Sequence, residues 1–153
     1  MSSDSPLDFG VLLNIAFNSF KNALEADLAA AGFDDVGPSF GYVFRLLSDG
    51  SCSLSELAQQ LHMTSPGALK LVDDMVAKGY VSRTADATDK RVKRLGLTVR
   101  GRAALECARA FHSRCEQTLA DRLGARRVAA TREVLSALAA AENGARSHRP
   151  RPA

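Results

Sequence analysis

The segment from Arg83 to Arg102 reads RTADATDKRVKRLGLTVRGR and concentrates positive charge in one short part of the chain. It holds seven Lys or Arg side chains against Asp86 and Asp89, whereas the whole 153-residue chain has a net charge of +3. The segment alone carries +5, so the remaining residues sum to −2. Such a local cluster beside a pair of short helices is typical of proteins that bind a phosphate backbone. We therefore expect a nucleic-acid partner, and DNA in particular.

The residues before this segment predict two short helices joined by a tight turn. Ser53 and Glu56 have the spacing of a capping box and begin the first helix. Residues 62–63 form the turn, and Thr64 or Ser65 caps the second helix, with a proline in its first turn. Two helices joined this tightly predict a helix-turn-helix. The residues predicted to face inward are Leu54, Leu57, Ala58 and Leu61 on the first helix and Leu69, Val72, Met75 and Val76 on the second.

The residues after the helix pair predict a β-hairpin followed by a long helix. Gly79 ends the second helix, Tyr80 and Val81 begin one strand, and residues 92–97 form another, with the basic tract between them. Thr98 then caps the long helix. This order of elements is that of a winged helix-turn-helix domain. The expected fold class is therefore mainly α with a small two-stranded β wing.

The other predicted helices carry more apolar surface than one small core can use. Residues 7–31 form a helix with two apolar stripes, and Pro38 suits the first turn of the next helix. Surplus apolar faces indicate packing against a second copy. We predict a single domain with a DNA-binding lobe over 35–100, a dimerisation lobe over 7–31 and 98–145, and a disordered basic tail over 146–153. The residues predicted to form the dimer interface are Phe9, Leu12, Leu119, Leu123, Val128, Leu135 and Leu138.

The composition and the motifs restrict the function classes. The chain is 46% hydrophobic and 24% charged, and no apolar run approaches the ~20 residues that span a bilayer. The N-terminus lacks the pattern of a secretory signal, so we expect a cytoplasmic protein. The sequence has no Gly-rich phosphate loop, nucleophile elbow or zincin motif. We therefore expect no enzyme activity, no cofactor, no metal and no membrane association.

Three pieces of the sequence have the order and spacing of a known family. They are SLSELAQQLHM, LKLVDDMVAKGYVSR and DKRVKRLGLTVRG. They resemble the helix pair, the Leu-Val-Asp…Gly-Leu-Val stretch and the Asp-x-Arg…Leu-Thr-x-x-Gly wing signature of the MarR (multiple antibiotic resistance regulator) family of bacterial transcription regulators. The resemblance spans about Leu54 to Leu105. It implies a ligand-responsive homodimeric repressor that binds a pseudo-palindromic double-stranded DNA operator.

The resemblance also assigns roles to wing residues. Asp89 and Arg91 match the family's wing Asp-x-Arg, in which the Arg enters a minor groove and the Asp helps hold it. A narrow minor groove concentrates negative potential, which favours a guanidinium. Lys90, Lys93 and Arg94 are then phosphate contacts, whose binding depends on salt through counterion release.

The second helix of the pair, residues 64–79, would enter the major groove. Gly67 and Ala68 stand where relatives commonly have Ser or Thr, and they offer only close backbone approach or apolar contact with a thymine methyl. Lys70 stands where the family usually has Arg, so the operator sequence cannot be transferred from relatives. The predicted DNA-binding residues are Thr64, Ser65, Gly67, Ala68, Lys70, Asp89, Lys90, Arg91, Lys93 and Arg94.

The resemblance further implies a cleft for a small effector, often an aromatic anion. Aromatic side chains that would line such a cleft recur along the helices, although they would equally serve as core residues. The residues assigned to this pocket are Phe17, Phe20, Phe40, Phe44, Phe111 and His112.

Alternative functions remain open at this point. His112 with Cys115 or Glu116 would begin a metal site, although a packed histidine is the commoner case. Cys52 precedes a capped helix, whose N-terminus would lower a thiol pKa for redox sensing. The three cysteines, which include Cys107, lack Cys-x-x-Cys spacing and are expected to be free thiols. A winged helix can also be an adaptor for proteins or RNA, but the basic wing has no obvious use there.

Overall fold

The computed structural model describes residues 7–147, with side chains described through residue 140. The chain divides after Phe111 into two compact units. Its elements are α1 (Phe9–Ala30), α2 (Phe40–Ser48), β1 (Cys52–Ser53), α3 (Leu54–Gln60), α4 (Ser65–Ala77), β2 (Val81–Ala85), β3 (Lys93–Leu97), α5 (Val99–Leu123) and α6 (Ala125–Ser147).

The first unit contains the predicted winged helix-turn-helix. Helices α3 and α4 pack against each other, and β2 pairs antiparallel with β3, with Val81 opposite Leu97. The sheet has a third strand, because β1 pairs with the other edge of β3 and places Cys52 opposite Leu95. The mainly α fold with a β wing is confirmed, but the two-stranded prediction missed β1. Two residues are too few to produce an alternating pattern in the sequence.

The core of the first unit surrounds Tyr80, at the end of the turn between α4 and β2. The ring centroids of Phe33, Phe40 and Phe44 lie 6.4, 5.8 and 5.6 Å from that of Tyr80. These edge-to-face and tilted contacts suit the quadrupoles of the rings. The buried core residues are Phe40, Val43, Phe44, Leu47, Leu57, Ala58, Ala68, Val72, Met75, Tyr80, Val81, Leu95, Leu97, Ala104 and Leu105.

The hydroxyl of Tyr80 joins a polar cluster at the edge of this core. It donates to Asp35, and Arg100 donates to the same carboxylate at 3.1 Å while its guanidinium lies 4.7 Å from the Tyr80 ring centroid. Burial, followed by the hydrogen bond to Asp35, raises the pKa of Tyr80 to about 12. The phenol therefore stays a hydrogen-bond donor at neutral pH, and the cluster joins the loop after α1 to the start of α5.

The start of α5 lies directly against the turn that follows α4. The hydroxyl of Thr98 accepts from the N–H of Gly101 at 3.0 Å and donates to the carbonyl oxygen of Gly79 at 2.5 Å. A Cβ on Gly101 would lie 2.1 Å from the carbonyl oxygen of Tyr80. Because no side chain fits there, the Leu-Thr-x-x-Gly spacing of the sequence has a structural cause: the threonine caps the helix and the glycine permits its close approach.

Two local predictions differ from the structure. Pro38 lies before α2, because the N–H of Phe40 bonds to the carbonyl of Gly37 and places the proline in a turn, with Ser39 as the N-cap. Leu69, predicted to face inward, is 44% exposed. Its place in the inward stripe of α4 is taken by Ala68, which is completely buried.

The long helices α1, α5 and α6 are where predicted, and Gly32 and Gly124 have positive φ values where α1 and α5 end. None of the helices within residues 7–147 is long and apolar enough to cross a membrane. Helix α6 continues to Ser147, so residues 146 and 147 of the predicted tail are helical, and residues 148–153 lie outside the described part. The predicted division into a DNA-binding and a dimerisation lobe stays a prediction.

The close approach at Gly101 makes this position intolerant of any side chain. We expect Gly101→Ala to lower the free energy of unfolding by about 3 kcal/mol or more, because the new Cβ forces α5 away from Tyr80. Gly41→Ala is the matched control, since a Cβ there meets nothing within 4 Å on α2 and should stabilise the helix by up to about 1 kcal/mol. Urea unfolding followed by circular dichroism at one protein concentration measures both. Equal changes in the free energy of unfolding for the two variants would show that α5 does not pack against Tyr80 as described.

Candidate nucleic-acid interface

The loop at the tip of the wing is held by two aspartates. A carboxylate oxygen of Asp86 accepts from the hydroxyl and N–H of Thr88 and from the N–H of Asp89, at 2.7 to 3.2 Å. These bonds, the Thr88 hydroxyl first, hold the pKa of Asp86 below its usual value. Asp89 in turn accepts from the N–H of Arg91 at 2.9 Å, and its carbonyl accepts from Val92 at 3.0 Å. The loop therefore has a defined backbone although its side chains are largely exposed.

The contact between Asp89 and Arg91 is made through the backbone of Arg91. Asp89 binds the backbone N–H of Arg91, and none of the described carboxylates lies within ion-pair distance of the Arg91 guanidinium. Lys90 and Lys93 are exposed and likewise have no ion pair within the described residues. The wing thus presents three uncompensated cations, Lys90, Arg91 and Lys93, within four residues.

Three other cations of the segment, Arg83, Arg94 and Arg100, form ion pairs with residues of the fold, whereas Arg102 is exposed. Arg83 on β2 pairs with Asp73 on α4 at 2.5 Å, and Arg100 pairs with Asp35 at 3.1 Å. Arg94 on β3 was predicted to contact phosphate, but its guanidinium is occupied and its side chain is 29% exposed. Three of the seven basic residues therefore hold elements of the first unit together.

Arg94 joins the wing to the start of α3. Its guanidinium donates to the carbonyl oxygen of Ser51 at 2.6 Å and to Glu56 at 3.2 Å, and it lies 3.8 Å from Asp86. Glu56 also accepts from the N–H of Ser53 at 2.7 Å, which completes the predicted capping box and is the main reason why its pKa is lowered. One arginine thus connects the helix cap, β1 and the hairpin tip.

Helix α4 begins with the predicted side-chain cap. The hydroxyl of Thr64 accepts from the N–H of Gly67 at 3.3 Å, and Pro66 occupies the first turn. Gly67 is partly buried, and a Cβ on it would lie 3.1 Å from the Thr64 hydroxyl oxygen. Ser65 and Lys70 are exposed. These two side chains are therefore placed to meet a ligand that approaches the start of α4.

The predicted outward face of α4 requires one correction. Ala68 was assigned to the DNA-binding surface, but it is completely buried together with Val72 and Met75. Their spacing of four and three residues makes them one inward stripe. Leu69 is the next residue around the helix and faces outward. The sequence prediction was right for Val72 and Met75 but exchanged Ala68 and Leu69, because it favoured the larger apolar side chain for the core.

The predicted effector pocket is only partly compatible with the structure. Phe40 and Phe44 are core residues in contact with Tyr80, so they do not line a cleft. Phe20 and Phe111 contact each other edge to face at 5.3 Å, and Phe17 is exposed. The pocket stays a prediction for Phe17, Phe20, Phe111 and His112.

The thiol and metal alternatives gain no support from the described geometry. Burial, followed by the charge of Glu56, raises the pKa of the Cys52 thiol, whereas a redox-sensing thiol needs a lowered pKa. Glu116, a proposed metal partner of His112, lies 3.5 Å from the guanidinium of Arg132. Residues 7–140 contain no group of three or more His, Cys, Asp and Glu side chains arranged to hold a metal.

Comparison with known proteins agrees with this geometry. A model of the MarR family matches residues 38–92. The exopolysaccharide II synthesis transcriptional activator ExpG of Rhizobium meliloti (strain 1021) is 28% identical over 87 residues, which cover 57% of this chain. The chain spans only 45% of the length of that relative. The predicted resemblance is confirmed, with the family match running from just before α2 to the tip of the wing.

Solved structures share the fold over most of the chain. Streptococcus pneumoniae FabT in complex with DNA has a TM-score of 0.72 at 20% identity, covering 90% of this chain and 99% of FabT. The S. aureus MepR–DNA complex has a TM-score of 0.67 at 22% identity, covering 87% and 98%. The reduced form of MarR from E. coli has a TM-score of 0.66 at 23% identity, covering 88% and 98%. The described elements thus have the arrangement of these winged-helix proteins.

The different roles of neighbouring cations on β3 can be separated by mutation. We expect Arg94→Gln to lower the free energy of unfolding by about 1–2 kcal/mol, because the Ser51 carbonyl and Glu56 lose a charged hydrogen-bond donor. Lys93→Gln, one residue away and exposed, should change it by less than about 0.5 kcal/mol. Urea unfolding of the two variants provides the comparison. A stability loss confined to Lys93→Gln would contradict the assignment.

Proposed function

We propose that the protein is a transcription regulator that binds a specific double-stranded DNA operator, because residues 38–92 match a model of the MarR family. The observation that carries the proposal is the wing, whose ordered loop presents Lys90, Arg91 and Lys93 with no ion pair among the described residues. Two proteins of the same fold, FabT and MepR, have been solved in complex with DNA, and the curated relative ExpG is a transcriptional activator.

The proposed binding mode gives the two exposed elements different tasks. Helix α4 enters the major groove with Ser65 and Lys70 towards the DNA, while Arg91 of the wing enters the adjacent minor groove. Lys90 and Lys93 contact phosphates, which contributes affinity without sequence choice. The ion pair between Arg83 and Asp73 supports this arrangement because it joins the first strand of the wing to α4.

We further propose that the functional species is a homodimer. Helix α1 buries only Leu28 within the chain, and both α1 and α6 expose large apolar side chains to water. A second copy would cover these faces, and a two-fold dimer would present two α4 helices about 34 Å apart, one turn of DNA. The operator is then a pseudo-palindrome. The exposed apolar residues that support the proposal are Phe9, Leu12, Ile15, Leu119, Leu123, Leu135 and Leu138.

The resemblance supports a repressor whose DNA binding is released by a small aromatic anion. Such an effector shifts the population of conformations, so it must bind the DNA-incompetent form more tightly than the competent one. The sign of regulation depends on where the operator lies in the promoter, and ExpG is an activator by its name. Repression is therefore proposed separately from DNA binding.

The DNA-binding proposal is tested by selecting bound duplexes from a random pool with the wild-type protein and with Arg91→Ala. We expect the wild type to enrich a pseudo-palindrome, and Arg91→Ala to bind it with about 5- to 150-fold lower affinity because the minor-groove contact is lost. Lys93→Ala should weaken all duplexes alike and reduce the slope of log affinity against log salt by about one unit.

Arg109→Ala is the control for these variants, because it removes the same charge from α5, where Arg109 pairs with Glu106. It should leave affinity and salt slope nearly unchanged. If the wild type enriches no sequence above non-specific binding, the regulator proposal fails and an adaptor role for the winged helix takes its place.

The dimer proposal is tested by placing charge on α6. Leu135 and Leu138 are both 45% exposed, so replacing them with glutamate should not disturb the fold of a single chain. We expect the variant Leu135→Glu/Leu138→Glu to sediment as a monomer and the wild type as a dimer, since an interface cannot bury unpaired carboxylates. Ser136→Glu/Ala139→Glu adds the same charge to the same helix. It is the control that shows whether added charge alone changes the oligomeric state. A double-leucine variant that remains dimeric would place the interface elsewhere.

A further inference from the structure

Leu69 is an apolar side chain on the polar outward face of α4. Its side chain is 44% exposed, while Ser65, Lys70 and Asp73 around it are also exposed. The neighbouring Leu71 packs against the buried core, but Leu69 is not among the residues that do so. The fold of a single chain therefore gives no reason for leucine at this position.

The position of Leu69 on the helix determines what it can meet. Residues 65, 69 and 73 are four apart and lie on one face of α4. Ser65 is in the first turn of this face, and the carboxylate of Asp73 at its other end is paired with Arg83 on the wing. This pairing offsets a negative charge that would otherwise oppose the approach of phosphates. Leu69 is thus the central side chain of a face that can come close to DNA.

We propose that Leu69 reads a thymine in each operator half-site by contact with its C5-methyl group. The inference rests on the proposed DNA-binding function and makes it specific. The thymine methyl is the apolar group that base edges present in the major groove, and apolar side chains recognise it by contact. Ala68 had been the candidate for such a contact from the sequence, but its burial leaves this chemistry to Leu69.

The test uses the selected operator with each thymine replaced in turn by deoxyuridine, which lacks the methyl but keeps every hydrogen-bonding group. One replacement in a half-site should weaken wild-type binding about fourfold, the value expected for one buried methyl group. Leu69→Ala should bind the thymine and deoxyuridine operators equally. Leu69→Met, which keeps an apolar side chain of similar length, should retain a penalty for deoxyuridine.

Lys70→Ala is the matched control, because it changes the adjacent exposed residue of α4. It should weaken both operators and keep the penalty for deoxyuridine. The contact of Leu69 with a thymine methyl would be ruled out if Leu69→Ala still lost affinity for the deoxyuridine operator, or if wild-type binding depended on no thymine methyl. In either case an enriched motif would still support the regulator proposal. The absence of any enriched motif would overturn both. A urea midpoint of unfolding equal to that of the wild type verifies that Leu69→Ala is folded.

Discussion

The close packing of Gly101 on the carbonyl of Tyr80 is the constraint on which the first unit depends. It brings the first turn of α5 to the turn between α4 and β2, where the Thr98 hydroxyl satisfies both the helix N-terminus and the Gly79 carbonyl. Tyr80 is then surrounded by aromatic rings on one side and by Arg100 and Asp35 on the other. The helix-turn-helix, the wing and the long helix therefore meet around one residue, and the position of each is set by the others.

The basic segment serves two purposes that its sequence does not distinguish. Arg83 and Arg94 form ion pairs that join the wing to α4 and to the cap of α3, and Arg100 joins the start of α5 to the loop after α1. Lys90, Arg91 and Lys93 remain uncompensated at the tip. Because exposed ion pairs contribute little to stability individually, the value of the first group lies in fixing geometry more than in free energy. A well-placed tip is what a DNA contact requires, so the paired arginines support the proposed function indirectly.

Features determined by nearby residues were predicted correctly from the sequence. The capping box of Ser53 and Glu56 and the Thr64 cap follow from contacts within three residues, and the hairpin pairs residues 8 to 16 positions apart. Features that depend on distant parts of the chain were missed. The pairing of β1 with β3 and the engagement of Arg94 by Ser51 and Glu56 join residues 38 to 43 positions apart. Ala68 and Leu69 of α4 were exchanged in the prediction because close packing of the inward face selects the smaller side chain.

The apolar faces of α1 and α6 affect how operator occupancy would depend on the concentration of the protein. If such surfaces are buried only by dimerisation, the protein is present as monomers and dimers in equilibrium. At low concentration, the number of dimers rises with the square of the number of chains. An operator occupied by pairs alone would then respond to a doubling of synthesis with nearly a fourfold change in bound complex. In the proposed dimer, the exposed apolar side chains of these two long helices would thus set a threshold in gene expression.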